Sequence, residues 1–356
     1  MPDRRTIGVL TFHRCINYGS YWQARCLTEG LRRRGWNAIL LDHRSRRVDR
    51  AEWACAMRPR LPVRPSRAEI RAYAAKVRRF EAAIASLPLS APFSLEQPEA
   101  MEACGIGMVG SDEVWNFSHP WYAACPLFFG DGLKGDRLVA YAASFGNYDA
   151  SAGLEPGWAR RLARFSAIAV RDENSRRLVR DGVGREPALV LDPCLLFADI
   201  CRGAPDGAGA EYALVYGHSF GDDFAAAAQG WSRANGMRLV SVGYQNDWAD
   251  EQRLSAGPAE FADAMAGAAA VITNFFHGCV FALVNQKPFA CAISDYRANK
   301  VTALLEALGA HERLVAAADA ADALQANLSA APGVAVAERL SRLRRSSEAY
   351  LERALA

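Results

Sequence analysis

The sequence predicts an α/β protein with two Rossmann-like domains facing a cleft, and three observations carry that prediction. Short apolar runs alternate with segments of helical spacing along most of the chain, the pattern of a parallel sheet wound with helices. The alternation stops at Ala204 to Ala210, rich in Gly, Ala, Pro and Asp, and then restarts. With 356 residues, 51% of them hydrophobic, the chain is long enough for two separate cores rather than one.

The elements follow in order. Ile7 to Phe12 is an apolar run, HRCINYGS reads as a loop, Tyr21 to Arg34 has helical spacing that ends at Gly35, and Ala38 to Leu41 is apolar again. This is a βαβ unit, the opening of a doubly wound sheet. Pro59, Pro62 and Pro65 interrupt the chain before an amphipathic helix in which Ile70, Tyr73, Ala74, Val77, Phe80 and Ile84 recur at helical spacing. Strands are expected at Gly105 to Val109, Leu138 to Ala142, Ala167 to Val170 and Ala188 to Leu191. After the linker they resume at Tyr212 to Tyr216, Arg238 to Gly243, Ala270 to Thr273 and Pro288 to Ile293. The expected boundaries are 1–203 for an N-terminal domain with a basic helical insertion at about 44–90, 204–332 for a C-terminal domain, and 333–356 for a helix packing back across the junction. Apart from the Ala-rich stretch Ala316 to Ala331, no repeat or low-complexity tract is present.

Net charge is only +3, but Arg44 to Arg79 holds eleven arginines and one lysine against Asp49, Glu52 and Glu69, a local net of +9. That segment either docks an anionic surface, such as a membrane touched peripherally, or is a solvated arginine-rich face. With 38 Arg to 4 Lys overall, arginine is the habit of the whole chain, so no nucleic-acid partner is inferred. The start passes from a charged tip straight into a strand, and no later span approaches a membrane-crossing length, so a cytoplasmic protein is expected. Nine cysteines, none in a CxxC pair, suit reduced thiols. No metal-ligand spacing, Walker A loop, GxSxG elbow or GxGxxG occurs, and no metal is expected.

Four clusters sit where strands should end, the ligand-binding edge of such sheets. In NYGSYWQ, Asn17, Tyr18 and Gly19 make a turn whose following helix offers backbone N–H groups to an anion. In GSDEVWN, a strand delivers Ser111, Asp112 and Glu113 beside Trp115 and Asn116. Adjacent carboxylates near an aromatic wall can supply an acid and a base at one pH, or Asp112 or Ser111 can simply cap a helix. In AVRDENS, Arg171 follows a buried strand and suits a carboxylate or phosphate, unless it pairs with Asp172, Glu173 or Asp192. In TNFFHG, Phe276, His277 and Gly278 open a helix directly after a strand, where an imidazole can meet a bound ligand or can be a satisfied core residue. Arg297 and Lys300, after the last of these strands, could reach a phosphate.

Read together, INYGSYWQ, GSDEVWN, YAASFG, RDENS, LDPCLL and NFFHG resemble, in that order, the motifs of the polysaccharide pyruvyl transferase family, over about Ile7 to Leu314. The resemblance implies a fold similar to GT-B glycosyltransferases and transfer of pyruvate from phosphoenolpyruvate to a sugar or related hydroxylated acceptor, forming a ketal. Two departures fall where ligands should sit. Glu113 replaces the family's Gln and adds a charge, while Phe275 replaces Ser and removes a hydroxyl, with Asn274 where Asp is common.

Phosphoenolpyruvate, the expected donor, is a substrate, and no cofactor is expected. Its phosphate and carboxylate need fixed cations, which Arg171, Arg297, Lys300 and His277 would supply. Asp112 and Glu113 are expected as base and electrostatic stabiliser, and His277 as the acid or the group that assists phosphate departure. The acceptor would be a sugar or lipid-linked glycan, expected on the side of the N-terminal domain, with the donor on the side of the C-terminal domain. The competing readings are a nucleotide-sugar glycosyltransferase, for which Glu260 is the acidic candidate on the second domain, and a ligand-binding member without turnover.

Overall fold

The computed structural model describes residues 6–205, 211–293, 298–316 and 320–356. The chain forms two compact units, one made of residues 1–52, 84–200 and 341–356 and the other of 53–83 and 201–340. Both are Rossmann-like α/β domains, as the sequence predicts.

The first unit is built on β1 (Thr6–Leu10), β2 (Asn37–Leu40), β3 (Cys104–Val109), β4 (Gly135–Ala143), β5 (Ala167–Val170) and β6 (Ala188–Leu189). All pairings are parallel and the order is β2-β1-β3-β4-β5-β6. Because both faces of such a sheet are covered, its strands are nearly continuous apolar runs, and every residue of β3 is buried. Strand order reverses between β1 and β3, which opens a crevice at their carboxyl ends.

The second unit holds β7 (Tyr212–Tyr216), β8 (Arg238–Val242), β9 (Glu251–Arg253), β10 (Ala270–Thr273), β11 (Phe289–Ala292) and β12 (Leu314–Val315). Its order is β9-β8-β7-β10-β11-β12, again all parallel, with the reversal between β7 and β10. No helix among the described residues is long and apolar enough to cross a membrane.

One segment belongs elsewhere than the expected boundaries put it. The helix Arg67–Ala85, counted by sequence with the first domain, falls almost wholly in the second unit. Tyr73, Val77 and Phe80 of its apolar face are buried, the Tyr73 hydroxyl accepts from the Gln245 N–H at 3.0 Å, and Lys76 donates to the Gly243 carbonyl at 3.0 Å. The final helix, Val334–Leu355, contributes residues 341–356 to the first unit. There the Tyr350 hydroxyl donates to Ala140 O of β4 at 2.7 Å and Ser347 Oγ accepts from the Leu191 N–H at 2.9 Å. An amphipathic pattern shows that a helix has a partner, but not which sheet supplies it.

Candidate active site

In the first unit the helix Tyr18–Arg33 begins directly after Asn17, whose Oδ1 accepts from the N–H groups of Gly19 at 2.8 Å and Ser20 at 3.2 Å. Two donors that the sequence offered to an anion are thus taken by the cap. Tyr18 and Gly19 are buried in the first turn.

Across the crevice, β3 runs into Gly110, Ser111 and Asp112. Gly110 has φ +111, and a Cβ there would lie 2.3 Å from the Tyr141 carbonyl oxygen, so only glycine fits. Asp112 is itself left-handed at φ +77, a conformation held by the contacts around it. Its carboxylate accepts from Ser20 Oγ at 2.8 Å, from Arg171 at 3.1 Å and from the Glu113 N–H at 2.9 Å. Ser111 is fully buried: its hydroxyl bonds Gln23, and its carbonyl accepts from Thr11 Oγ1 at 2.8 Å. Gln23 in turn donates to Thr11 Oγ1 at 3.0 Å, which ties β1, the helix and β3 into one network.

Arg171, leaving β5, lies between two carboxylates, bonding Asp112 and, at 3.2 Å, Asp192. Its side chain is 3% exposed. Burial works against its charge, but the fields of Asp112 and Asp192 outweigh that and raise its pKa above the usual arginine value. The ion pair with Asp192 is the alternative left open by sequence; the bond to Asp112 joins two motifs 59 residues apart.

The half-buried Glu113 accepts from the Asn116 amide at 2.8 Å, and the same amide reaches Asn147 at 3.0 Å. Trp115 lies away from this edge. It is fully buried among Phe129, Phe145 and Phe165, with its indole N–H on the Phe128 carbonyl at 2.8 Å.

Next to this network is a cluster that sequence reading missed. Arg14 forks onto Asp42 at 2.5 and 2.6 Å, and His13 Nε2 meets Asp42 Oδ1 at 3.2 Å. His43 Nε2 donates to the Thr11 carbonyl at 2.8 Å. Burial, reinforced by the neighbouring His13, pushes the His43 pKa down to about 3, and burial also lowers that of His13. Although partial burial opposes it, hydrogen bonds from His13 and Arg14 and the Arg14 charge hold the Asp42 carboxyl well below the usual range.

In the second unit the corresponding edge lies between β7 and β10. Thr273 Oγ1 donates to the Tyr216 carbonyl at 2.6 Å and accepts from the Phe275 N–H at 3.0 Å, which fixes the exit of β10. The Asn274 amide donates to the His218 carbonyl at 2.8 Å. His277, buried at 9% exposure, stands in the first turn of the helix Phe276–Val284, its ring edge-on to half-buried Phe276 at 5.1 Å. A Cβ at Gly278 would fall 1.9 Å from Thr273 Oγ1, so the glycine lets this helix sit against β10. Phe275 packs against Tyr216, His218 and Tyr244. Lys300 is half-buried on the helix Ala298–Leu308, and Arg297 lies outside the described residues. Glu260 is engaged, pairing with Arg79 at 3.0 Å and accepting from the Gly257 N–H at 3.1 Å.

The structure thus brings Asn17, Ser111, Asp112, Arg171, Glu113 and Asn116 to one sheet edge and His277 and Gly278 to the other, and places Trp115 in the core.

By sequence, no curated protein matches the chain. Solved structures that resemble it do so distantly. The S. aureus MnaA–UDP co-structure has a TM-score of 0.49 at 12% identity, covering 99% of this chain and 97% of that one. A Methanocaldococcus jannaschii UDP-GlcNAc 2-epimerase in complex with UDP-GlcNAc and UDP scores 0.47 at 11% identity, over 95% and 98%. The E. coli heptosyltransferase WaaC with ADP-2-deoxy-2-fluoro heptose scores 0.40 at 14% identity, over 84% and 96%. Likeness at this distance says nothing about activity. The sequence profile that does match is Polysaccharide pyruvyl transferase, over residues 17–296, from the Asn17 cap through the Asp112 and Arg171 motifs to beyond His277, and the chain belongs to that family.

Proposed function

We propose that the protein transfers pyruvate from phosphoenolpyruvate to a sugar or related hydroxylated acceptor, forming a ketal and releasing inorganic phosphate. A proton is added to the methylene carbon of the donor, one acceptor hydroxyl bonds to C2, and a second hydroxyl displaces phosphate. One hydroxyl proton balances the new methyl group and the other leaves with the phosphate. Family membership supports the reading, and the structural observation that carries it is Asp112. This is a carboxylate at a strand exit, held in a left-handed backbone by Ser20 and Arg171. In that setting Asp112 takes the proton of the attacking hydroxyl, and Arg171 fixes its orientation. Glu113, steadied by Asn116, stabilises positive charge developing at C2. His277 delivers a proton or assists phosphate departure.

The test is phosphate release from phosphoenolpyruvate with a panel of hydroxylated acceptors, alongside melting curves. A ligand bound only by the folded protein at ten times its Kd adds about 1.4 kcal/mol of stability. Release that depends on an acceptor and is lost in Asp112→Asn supports the reading. A melting curve unmoved by phosphoenolpyruvate but raised by a nucleotide sugar overturns it.

A further inference from the structure

The second unit has a cavity of about 200 Å³ at the carboxyl ends of β7 and β8, away from the residues given roles above. One wall is apolar, from Leu61, Pro62, Phe220 and Trp248, and the other is polar, with Asp222, Gln245 and Asp247. We infer that this cavity is a carbohydrate subsite that takes one neutral, hydroxyl-bearing pyranose ring.

Charge decides against the anionic donor. Two carboxylates line the cavity and, among the described residues, no basic side chain does, so a phosphate or carboxylate would meet like charge without compensation. Size decides against a nucleotide sugar, since drug-sized ligands occupy clefts of roughly 300–1,000 Å³. What fits is a small ring with an apolar C–H face for Trp248 and hydroxyl donors for acceptor oxygens.

The acceptors are held in place. Gln245 donates its amide N–H to Asp247 at 2.6 Å, and because a carboxylate only accepts, this fixes which end of the amide faces Asp247. Gln245 Oε1 is buried with no hydrogen-bond partner among the described residues. The loop behind it is rigid. Tyr73 and Lys76 grip Gln245 and Gly243, while the Asn246 amide donates to Gly217 O at 3.0 Å and to Ser241 Oγ at 2.9 Å. Gln229 holds the Trp248 carbonyl at 3.0 Å, and Trp248 meets Phe220 edge-on at 5.5 Å. A preformed wall of this kind loses little entropy on binding. The basic segment of the sequence thus serves this site through its helix.

Sugar binding here stands apart from the reaction; the role of acceptor subsite rests on the pyruvyl-transfer reading. The test is ligand-observed saturation-transfer NMR on the full chain with neutral methyl pyranosides, with phosphoenolpyruvate and inorganic phosphate as competitors. Asp247 is exposed, so Asp247→Asn keeps the fold, and melting curves check Trp248→Ala. Expected is millimolar binding of a neutral pyranoside that weakens about tenfold or more in each variant, the scale of one charge-assisted hydrogen bond or ring contact, with neither anion competing. Failure of every pyranoside to bind, equal binding in both folded variants, or displacement by phosphate would overturn the proposal. Binding without phosphate release sinks the pyruvyl reading alone. Phosphate release with an unchanged acceptor KM in both variants sinks the subsite alone.

Discussion

Arg171→Ala removes the cation that lies between two acids. The side chains of Arg171, Asp112 and Asp192 are 3%, 10% and 0% exposed, so water cannot take its place. Removing one partner of a buried pair costs about 3–5 kcal/mol, and here one guanidinium serves two carboxylates, which puts the loss in the upper half of that range. Arg171→Lys keeps the charge but not the planar fork that reaches both acids, and forfeits one charge-assisted bond, about 1.5–3 kcal/mol. Denaturation midpoints should therefore fall in the order wild type, Lys, Ala. Hydrogen exchange over 167–196 should speed up in the same order, which locates the loss in the first unit. The deficit has a pH signature. Without the cation the two buried carboxylates bind a proton more readily folded than unfolded, so the Ala variant gains relative stability as pH falls from about 7 towards 4. An Ala variant within about 0.5 kcal/mol of wild type that loses phosphoenolpyruvate affinity would refute this reasoning and make Arg171 a ligand-facing cation.

Three further outcomes are expected. His277→Gln should keep its melting temperature and lose about 10²-fold or more in turnover, the scale of a missing acid–base group; a destabilised but fully active variant would make His277 a packing residue. Since the folded His43 pKa is depressed to about 3, the unfolded chain binds the extra proton below its normal pKa, so stability is lost as pH falls below about 6.5, at about 1.4 kcal/mol per unit from His43 alone. A flat profile between about pH 6.5 and 4.5 in urea denaturation would contradict that burial. Gly278→Ala, whose Cβ would fall on Thr273 Oγ1, should cost about 1–3 kcal/mol and disturb His277, and an unchanged melting curve with full activity would show that the helix can shift freely.

The legible part of the molecule was the part written locally. Both sheets could be read from buried parallel strands, whose uniform apolar runs stand out between polar loops. The short charged strand Glu251–Arg253 was missed because it carries no apolar period, and the helix Arg46–Met57 lay within the expected basic helical insertion without bounds of its own. The first helix starts at Tyr18 rather than Tyr21, because Asn17 satisfies N–H groups that Gly19 makes look like a loop. Asp112 was visible because it follows its strand directly, whereas its partners Ser20 and Arg171 are set by strand order, which no local pattern encodes. The His13 and Asp42 pair eluded reading for the same reason. The two residues follow β1 and β2, 29 residues apart, and meet only because those strands are neighbours.

The interleaving of the two units has a consequence for how the protein is made. As the chain emerges from a ribosome, its first strands appear early, yet the hydroxyl that bonds Ala140 and the serine that bonds Leu191 belong to residues 350 and 347. The second unit likewise waits, since Tyr73 and Lys76 are synthesised long before the loop they hold. The first unit cannot finish folding until residues 341–356 are made, nor the second until synthesis reaches residue 340, and a cut at residue 203 would leave each fragment without a piece of its own core.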